Sequence, residues 1–174
     1  MTASRAIAKV IATDAAADAA PIDWDEAGRL FAAERSYWVA TTGDDGRPHV
    51  RPVLAVLVDG RIYSTTNPAA RKGRNLKSRP SAALTARAPA MDIVIEGPIA
   101  WIDDPQRLRR IGEAYVDKYG WPVTVAGNAF DAPYAAPTAG HAPYRVYELT
   151  PTIAYAFGTA NNLGERSTRF RFNA

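Results

Sequence analysis

The sequence predicts an α+β domain in which a mainly antiparallel β-barrel or sandwich carries a few flanking helices. Three observations lead there. The chain has 174 residues, 47% of them apolar, 22% charged and 10% aromatic, which suits one globular domain. Six to eight short β-rich runs alternate with turn signals such as Asp59-Gly60. Helical periodicity is confined to segments beginning near Asp23, Ala69 and Pro105.

Composition also excludes whole classes of function. Cysteine is absent, which removes disulfide scaffolds, thiolate zinc sites, iron–sulfur clusters and a cysteine nucleophile. That absence permits a reducing compartment, and the cytoplasm is the expected location. A formal charge of +3 and a pI of 9.3 are too mildly basic to argue for a nucleic-acid partner. Residues 1–22 are Ala-rich and read as a flexible, frayed or partly helical arm ahead of one domain over residues 23–174. Lys9, Asp14 and Asp18 interrupt the arm, so it lacks the unbroken apolar stretch of a signal peptide. No segment reaches the ~20 apolar residues of a membrane span.

The elements follow in order. Asp23 is the expected N-cap of a first helix, with Glu26 three positions on and Trp24, Ala27, Leu30 and Phe31 along one face. Tyr37–Thr42 reads as a strand, Asp44-Asp45-Gly46 as a turn, and His49–Val58 as a second strand. Asp59-Gly60 is a two-residue hairpin signal leading into a third strand, Arg61–Thr66, which completes a meander. A short helix is expected over Ala69–Lys77, then strands over Ser81–Arg87 and Met91–Ile102. Asp104-Pro105 opens a helix that runs to about Tyr119, with proline where a missing N–H costs nothing. Pro122–Pro143 reads as one irregular segment, of a length that suits a lid or a partner-covering loop. Tyr144–Leu149, Thr152–Phe157 and Thr168–Phe172 close the chain as strands. In the last of these, Phe170 and Phe172 alternate with Arg169 and Arg171. Aromatic residues so near a terminus imply burial, with a second copy of the chain as the expected cover and pairing within its own barrel, arginines facing water, as the alternative.

Little in the sequence suggests acid–base or metal chemistry. The two histidines, His49 in a strand and His141 in the irregular segment, have no G-x-S-x-G elbow to serve and no carboxylate spacing for a metal. The sharper signal is basic. Arg71, Lys72, Arg74, Lys77 and Arg79 fall within nine residues, directly after the hydroxyl-rich strand end Ser64-Thr65-Thr66. Hydroxyls and backbone N–H groups donate to a phosphate, Arg binds it bidentately and Lys adds a point charge. No aromatic side chains interleave these cations, which argues against single-stranded nucleic acid as the ligand.

Several of these segments, in this order, resemble the pyridoxamine 5′-phosphate oxidase-like proteins, the flavin-binding split barrels that include deazaflavin (F-420)-dependent reductases. The resemblance is carried by Ala40-Thr41-Thr42, Gly46–Val53, Ile62–Asn67 and Arg71–Leu76. It continues through Val94–Gly97, Asp104-Pro105, Tyr115–Trp121 and Thr168–Phe172, covering roughly residues 24–174. It implies a split β-barrel and an oxidoreductase using FMN or F-420. Arg51, Pro52, Val53, Leu54, Ala55 and Val56 match the strand that lies against the flavin ring. Thr65 and Thr66 match a hydroxyl pair near the tail, and Arg71 and Lys72, with Asn75 nearby, match the phosphate grip. It also implies a homodimer with the cofactor in the cleft between subunits, where Arg169 would reach it. His49, Tyr134 and His141 are the candidate substrate contacts, and no metal is expected. Asp92 stands where the oxidase tends to use glutamine, and the oxidase's C-terminal arginine–histidine signature is replaced by Arg169-Phe170-Arg171, so the vitamin enzyme itself is not expected. A carrier that binds flavin, deazaflavin or haem without turnover is the alternative, ahead of a basic nucleic-acid-binding module.

Overall fold

The computed structural model describes residues 6–12, 18–135, 140–160 and 163–173. The described residues form twelve strands and three α-helices, and ten of these strands belong to one antiparallel network. Strand β7 (Met91–Trp101) is its spine. Along one side it pairs with β6 (Ser81–Ala88), which leads through β2 (Tyr37–Thr42) to β3 (Pro48–Val53). On its other side the first half of β7 pairs with β11 (Ile153–Gly158) and the second half with β10 (Arg145–Leu149). From β10 the ladder runs through β5 (Arg61–Thr66) to β4 (Ala55–Val58). The handover on β7 occurs at Gly97, where a Cβ would stand 1.9 Å from the Thr150 carbonyl oxygen. Only glycine lets the β10–β11 connection pass so close.

The expected second strand, His49–Val58, is two strands. Its first half pairs with β2 and its second with β5, and the break falls at Leu54. β3 and β4 hold the two ends of the ladder, so the chain itself joins them at Leu54 where backbone pairing does not. This is the split barrel, and it makes Leu54 a corner between two sheet regions. The Asp59-Gly60 turn forms as expected, with φ of 50° and 73° at its two residues.

Helix α1 (Trp24–Ala33) begins with the Asp23 side chain accepting from the Glu26 N–H at 3.1 Å. It buries Trp24, Ala27 and Phe31 against the barrel interior, with Tyr37, Leu84, Ile93 and Ile95. Helix α3 (Pro105–Tyr119) is capped by Asp104 and ends on Gly120 in the left-handed conformation. It covers a second core of Val56, Tyr63, Leu108, Ile111, Tyr115 and Tyr144.

Three expectations change. Residues 6–10 are not a frayed or helical arm but strand β1 (Ala6–Val10), laid antiparallel on β12 (Thr168–Phe172). Most of its side chains are exposed, so the backbone ladder holds it and the hydrophobic pattern gives no warning. The irregular segment 122–143 contains a hairpin, β8 (Thr124–Ala126) and β9 (Ala129–Asp131), with Phe130 buried under α3 and bridged to Tyr144. Residues 136–139 lie outside the described residues. Finally, Phe170 is fully buried inside its own chain and packs on Trp24 at 5.1 Å, with Phe172 at 4.8 Å. The helix-α1 tryptophan covers Phe170 within the chain, while Phe172 stays half-buried.

Candidate functional site

The Leu54 corner, the end of β5 and the start of helix α2 (Arg71–Ser78) meet at an open cleft of about 410 Å³. β3 supplies His49, Arg51, Pro52 and Val53. β5 supplies Thr65 and Thr66, and α2 supplies Arg71 and Lys72. The lining thus holds four basic side chains, Arg35, Arg51, Arg71 and Lys72, and no carboxylate. A second hollow of about 270 Å³ is lined by Arg61, Arg107 and Arg110, but each of these already faces a carboxylate, Glu148 or Asp59.

Helix α2 is built against its own dipole. Its first two residues are cations, and its first turn holds no acid, the reverse of what helix stability favours. Among the described residues neither Arg71 nor Lys72 is in an ion pair. Gly73 lets the helix start sit on the preceding turn, since a Cβ there would meet the Asn67 carbonyl oxygen at 2.4 Å. Lys72 Nζ donates to the Thr65 carbonyl at 2.9 Å, and burial lowers its pKa from 10.5 to about 8. An ammonium desolvated without a counter-ion is a site awaiting an anion.

His49 is 7% exposed, and its Nδ1 has no hydrogen-bond partner. Burial lowers its pKa below 6.5, and the positive charges of Arg51, Arg71 and Lys72 lower it further. Its backbone carbonyl accepts from Thr41 Oγ1 at 3.4 Å, and Thr41 Oγ1 accepts from Asn75 Nδ2 at 3.0 Å. The donor set therefore suits a phosphorylated ligand: free cations, strand-end hydroxyls and one buried polar atom without a partner.

The structure gathers Arg51, Pro52, Val53, Leu54, Thr65, Thr66, Arg71, Lys72 and His49 at this cleft and leaves the other expected contacts elsewhere. Ala55 and Val56 are buried in the two cores, because the chain turns inward after Leu54. Asn75 is buried and spends its amide on Thr41, tying α2 to β2. Tyr134 is exposed, and its hydroxyl donates to the Gly120 carbonyl at 3.1 Å, beside the end of α3. His141 has an exposed ring and contributes only its carbonyl, which accepts from Asn67 Nδ2 at 2.8 Å. Arg169 is opposite Tyr155 and Lys9 in the β11–β12–β1 ladder and does not line its own chain's cleft. Asp92 is on the same outer sheet face, paired with Arg87 at 3.2 Å, so it does not repel a ligand in this cleft.

Sequence reasoning missed Arg35, Ser36, Asn67, Ala70 and Tyr144. Arg35 reaches the cleft because its guanidinium donates to the Lys118 carbonyl and lies 5.4 Å from the Tyr119 ring, contacts made across 83 residues of sequence. Asn67 did carry a signal, since an Asn-Pro pair after a strand marks a turn.

A profile described as "Pyridoxamine 5'-phosphate oxidase" matches residues 24–156, most of the chain. The chain belongs to the pyridoxamine 5′-phosphate oxidase family. A pyridoxine/pyridoxamine 5′-phosphate oxidase from Pseudomonas entomophila is 35% identical over 82 residues, spanning 42% of this chain and 38% of that protein. Among solved structures, an FMN-binding protein related to the oxidase, from Nostoc punctiforme, aligns at TM-score 0.56 and 18% identity over 89% of this chain and 93% of its own. An F420 reductase aligns at TM-score 0.53 and 20% identity, over 78% of this chain and 98% of its own. A haem-binding protein from Mycobacterium smegmatis aligns at TM-score 0.66 and 17% identity, over 88% of this chain and 59% of its own. At such identities these three likenesses concern the fold. Among the described residues no helix is long and apolar enough to cross a membrane.

Proposed function

We propose that this family member is an oxidoreductase that holds a flavin-type cofactor, FMN or deazaflavin F-420, in the Leu54 cleft. The observation that carries the reading is the cleft's charge: four cations, two of them at a helix start that stability alone would not choose, and no carboxylate in the lining. When bound, such a cofactor carries hydride on its ring to or from a small organic substrate. The chain's residues bind and orient it. Arg71 and Lys72 hold the phosphate, Thr65 and Thr66 flank the tail, and Arg51, Pro52, Val53 and Leu54 lie along the ring. Arg35 adds positive charge to the same lining. We place the protein in the cytoplasm, as a chain without cysteine allows.

The reading includes a homodimer with the cofactor at the subunit interface. What supports it is the outer face of the β3–β2–β6–β7–β11 sheet. Trp38 is 50% exposed, Val50 45% and Phe157 40%, and Tyr155 stacks on Phe157 at 5.7 Å. Exposed apolar side chains gathered on one sheet face mark a protein interface. The face reaches the cleft at Pro52, which lines the cleft and stands opposite Trp38 in the ladder.

The deciding experiment is titration of the purified protein with FMN, riboflavin and F-420, read by absorbance and fluorescence, followed by turnover of NAD(P)H or reduced F-420 with an electron acceptor. Binding of FMN or F-420, far weaker binding of phosphate-free riboflavin, and turnover support the reading. Binding without turnover leaves a carrier. Binding of haem alone overturns the flavin assignment.

A further inference from the structure

His49 is one of only two histidines in the chain, and it sits where a ligand phosphate would lie. It lines the cleft from β3 beside the start of α2, and it is more than nine-tenths buried. Among the described residues its Nδ1 finds no acceptor or donor. A buried polar atom left unpaired is costly, and folded proteins retain one where something else completes it.

The surroundings say what that partner is. The charged groups acting on the ring are Arg51 on its own strand and Arg71 and Lys72 on α2. Its neighbour opposite on β2 is Thr41, which is uncharged and already bonded to the His49 carbonyl and the Asn75 amide. No carboxylate lines the cleft. A second anion acceptor therefore has to come from outside, and only an anion relieves the three cations and the orphaned nitrogen together.

We propose that His49 is a direct ligand of the cofactor phosphate, joining Arg71 and Lys72, and that it takes up one proton from solvent when the phosphate binds. In the empty cleft the imidazole is neutral, because burial and three cations disfavour its charged form. A phosphate on Arg71 and Lys72 reverses the local field, and the protonated ring then donates Nδ1–H to a phosphate oxygen. The sign follows by linkage: a group that binds a proton only in the complex makes binding tighter as pH falls. Lys72, lowered to about 8 by burial, and the ligand phosphate, whose second proton has a pKa of about 6, also titrate near neutrality, so the His49 share is the difference between wild type and His49→Gln. The inference rests on the phosphate-binding reading above.

The test uses the full chain with FMN as probe and riboflavin as control. Imidazole NMR follows His49 and exposed His141 together, one serving as reference for the other. Saturating FMN is expected to move the His49 pKa up by a unit or more while His141 stays put, and riboflavin is expected to move neither. In parallel, lowering the pH from 7.5 to 6.5 should favour FMN binding to wild type over His49→Gln by up to about tenfold per pH unit. If His49→Gln does not fold, the NMR titration of the unaltered protein still decides. FMN that binds, seen by its fluorescence, without changing the His49 titration overturns the proton linkage and leaves the cofactor reading intact. FMN and F-420 that fail to bind at any pH overturn both.

Discussion

Replacing Lys72 by methionine should separate binding from stability. In the cofactor-free protein its ammonium is desolvated, without a counter-ion, and bonded only to the Thr65 carbonyl. A pKa moved from 10.5 to about 8 corresponds to about 3 kcal/mol spent on holding the charge there. Methionine removes that penalty and loses one hydrogen bond, worth roughly 1 kcal/mol. The variant should therefore be more stable by about 1–2 kcal/mol, a rise in Tm of roughly 2–8 °C for a chain of this size. Its affinity for FMN should fall by about 10- to 150-fold, because one charge-assisted contact to the phosphate, about 1.5–3 kcal/mol, is gone. The pH dependence carries a further signature. From about pH 8 upward the unfolded chain keeps a proton on this lysine that the folded chain has lost, so this lysine makes stability rise with pH until the buried tyrosines, whose raised pKa values act in the opposite direction, begin to ionise in the unfolded chain. Burial also lowers Lys118 to about 8, with help from Arg35, so the variant should keep only the Lys118 share of the rise. Thermal melts of the empty protein from pH 7 to 10, together with FMN fluorescence titration, measure all three effects. A Met variant that binds FMN within about twofold of wild type, or that melts lower when empty, would refute the reasoning.

Other perturbations probe the frame around the site. Phe170→Ala removes a fully buried ring from beneath Trp24 and should cost about 3–5 kcal/mol in urea unfolding, whatever the oligomeric state. Gly97→Ala places a methyl 1.9 Å from the Thr150 carbonyl oxygen and should cost at least about 2 kcal/mol or abolish soluble expression; a neutral result would mean the β10–β11 crossing can yield. Trp38→Arg, on the exposed outer face, should leave the fold intact and shift sedimentation from dimer to monomer. An unshifted dimer would move the interface to another surface.

Much of this protein is local and can be read along the chain. Asp59-Gly60 demands a tight turn because both residues must take positive φ, and it forms one. Asp23 and Asp104-Pro105 start helices because a side-chain oxygen and a missing N–H satisfy the first turn without distant help. Arg71 and Lys72 signal a basic site because they follow Thr65-Thr66 within a few residues, so one strand end and one helix start bring four of the cleft's lining residues together. What the tertiary structure alone decided is where one segment meets another. Periodicity reports which residues share a face, but it is silent on what covers that face. The continuous run His49–Val58 gives no sign of its break, because the two halves differ only in their partners, β2 and β5. Asn75 and Val56 carry nothing that separates a ligand contact from a core residue until α2 meets β2 and α3 meets β4. Arg35 enters the cleft only because Lys118 and Tyr119, far along the chain, hold it there. Phe170 asked for burial, and the rotation of α1, which brings Trp24 over it, decided that the burial is internal.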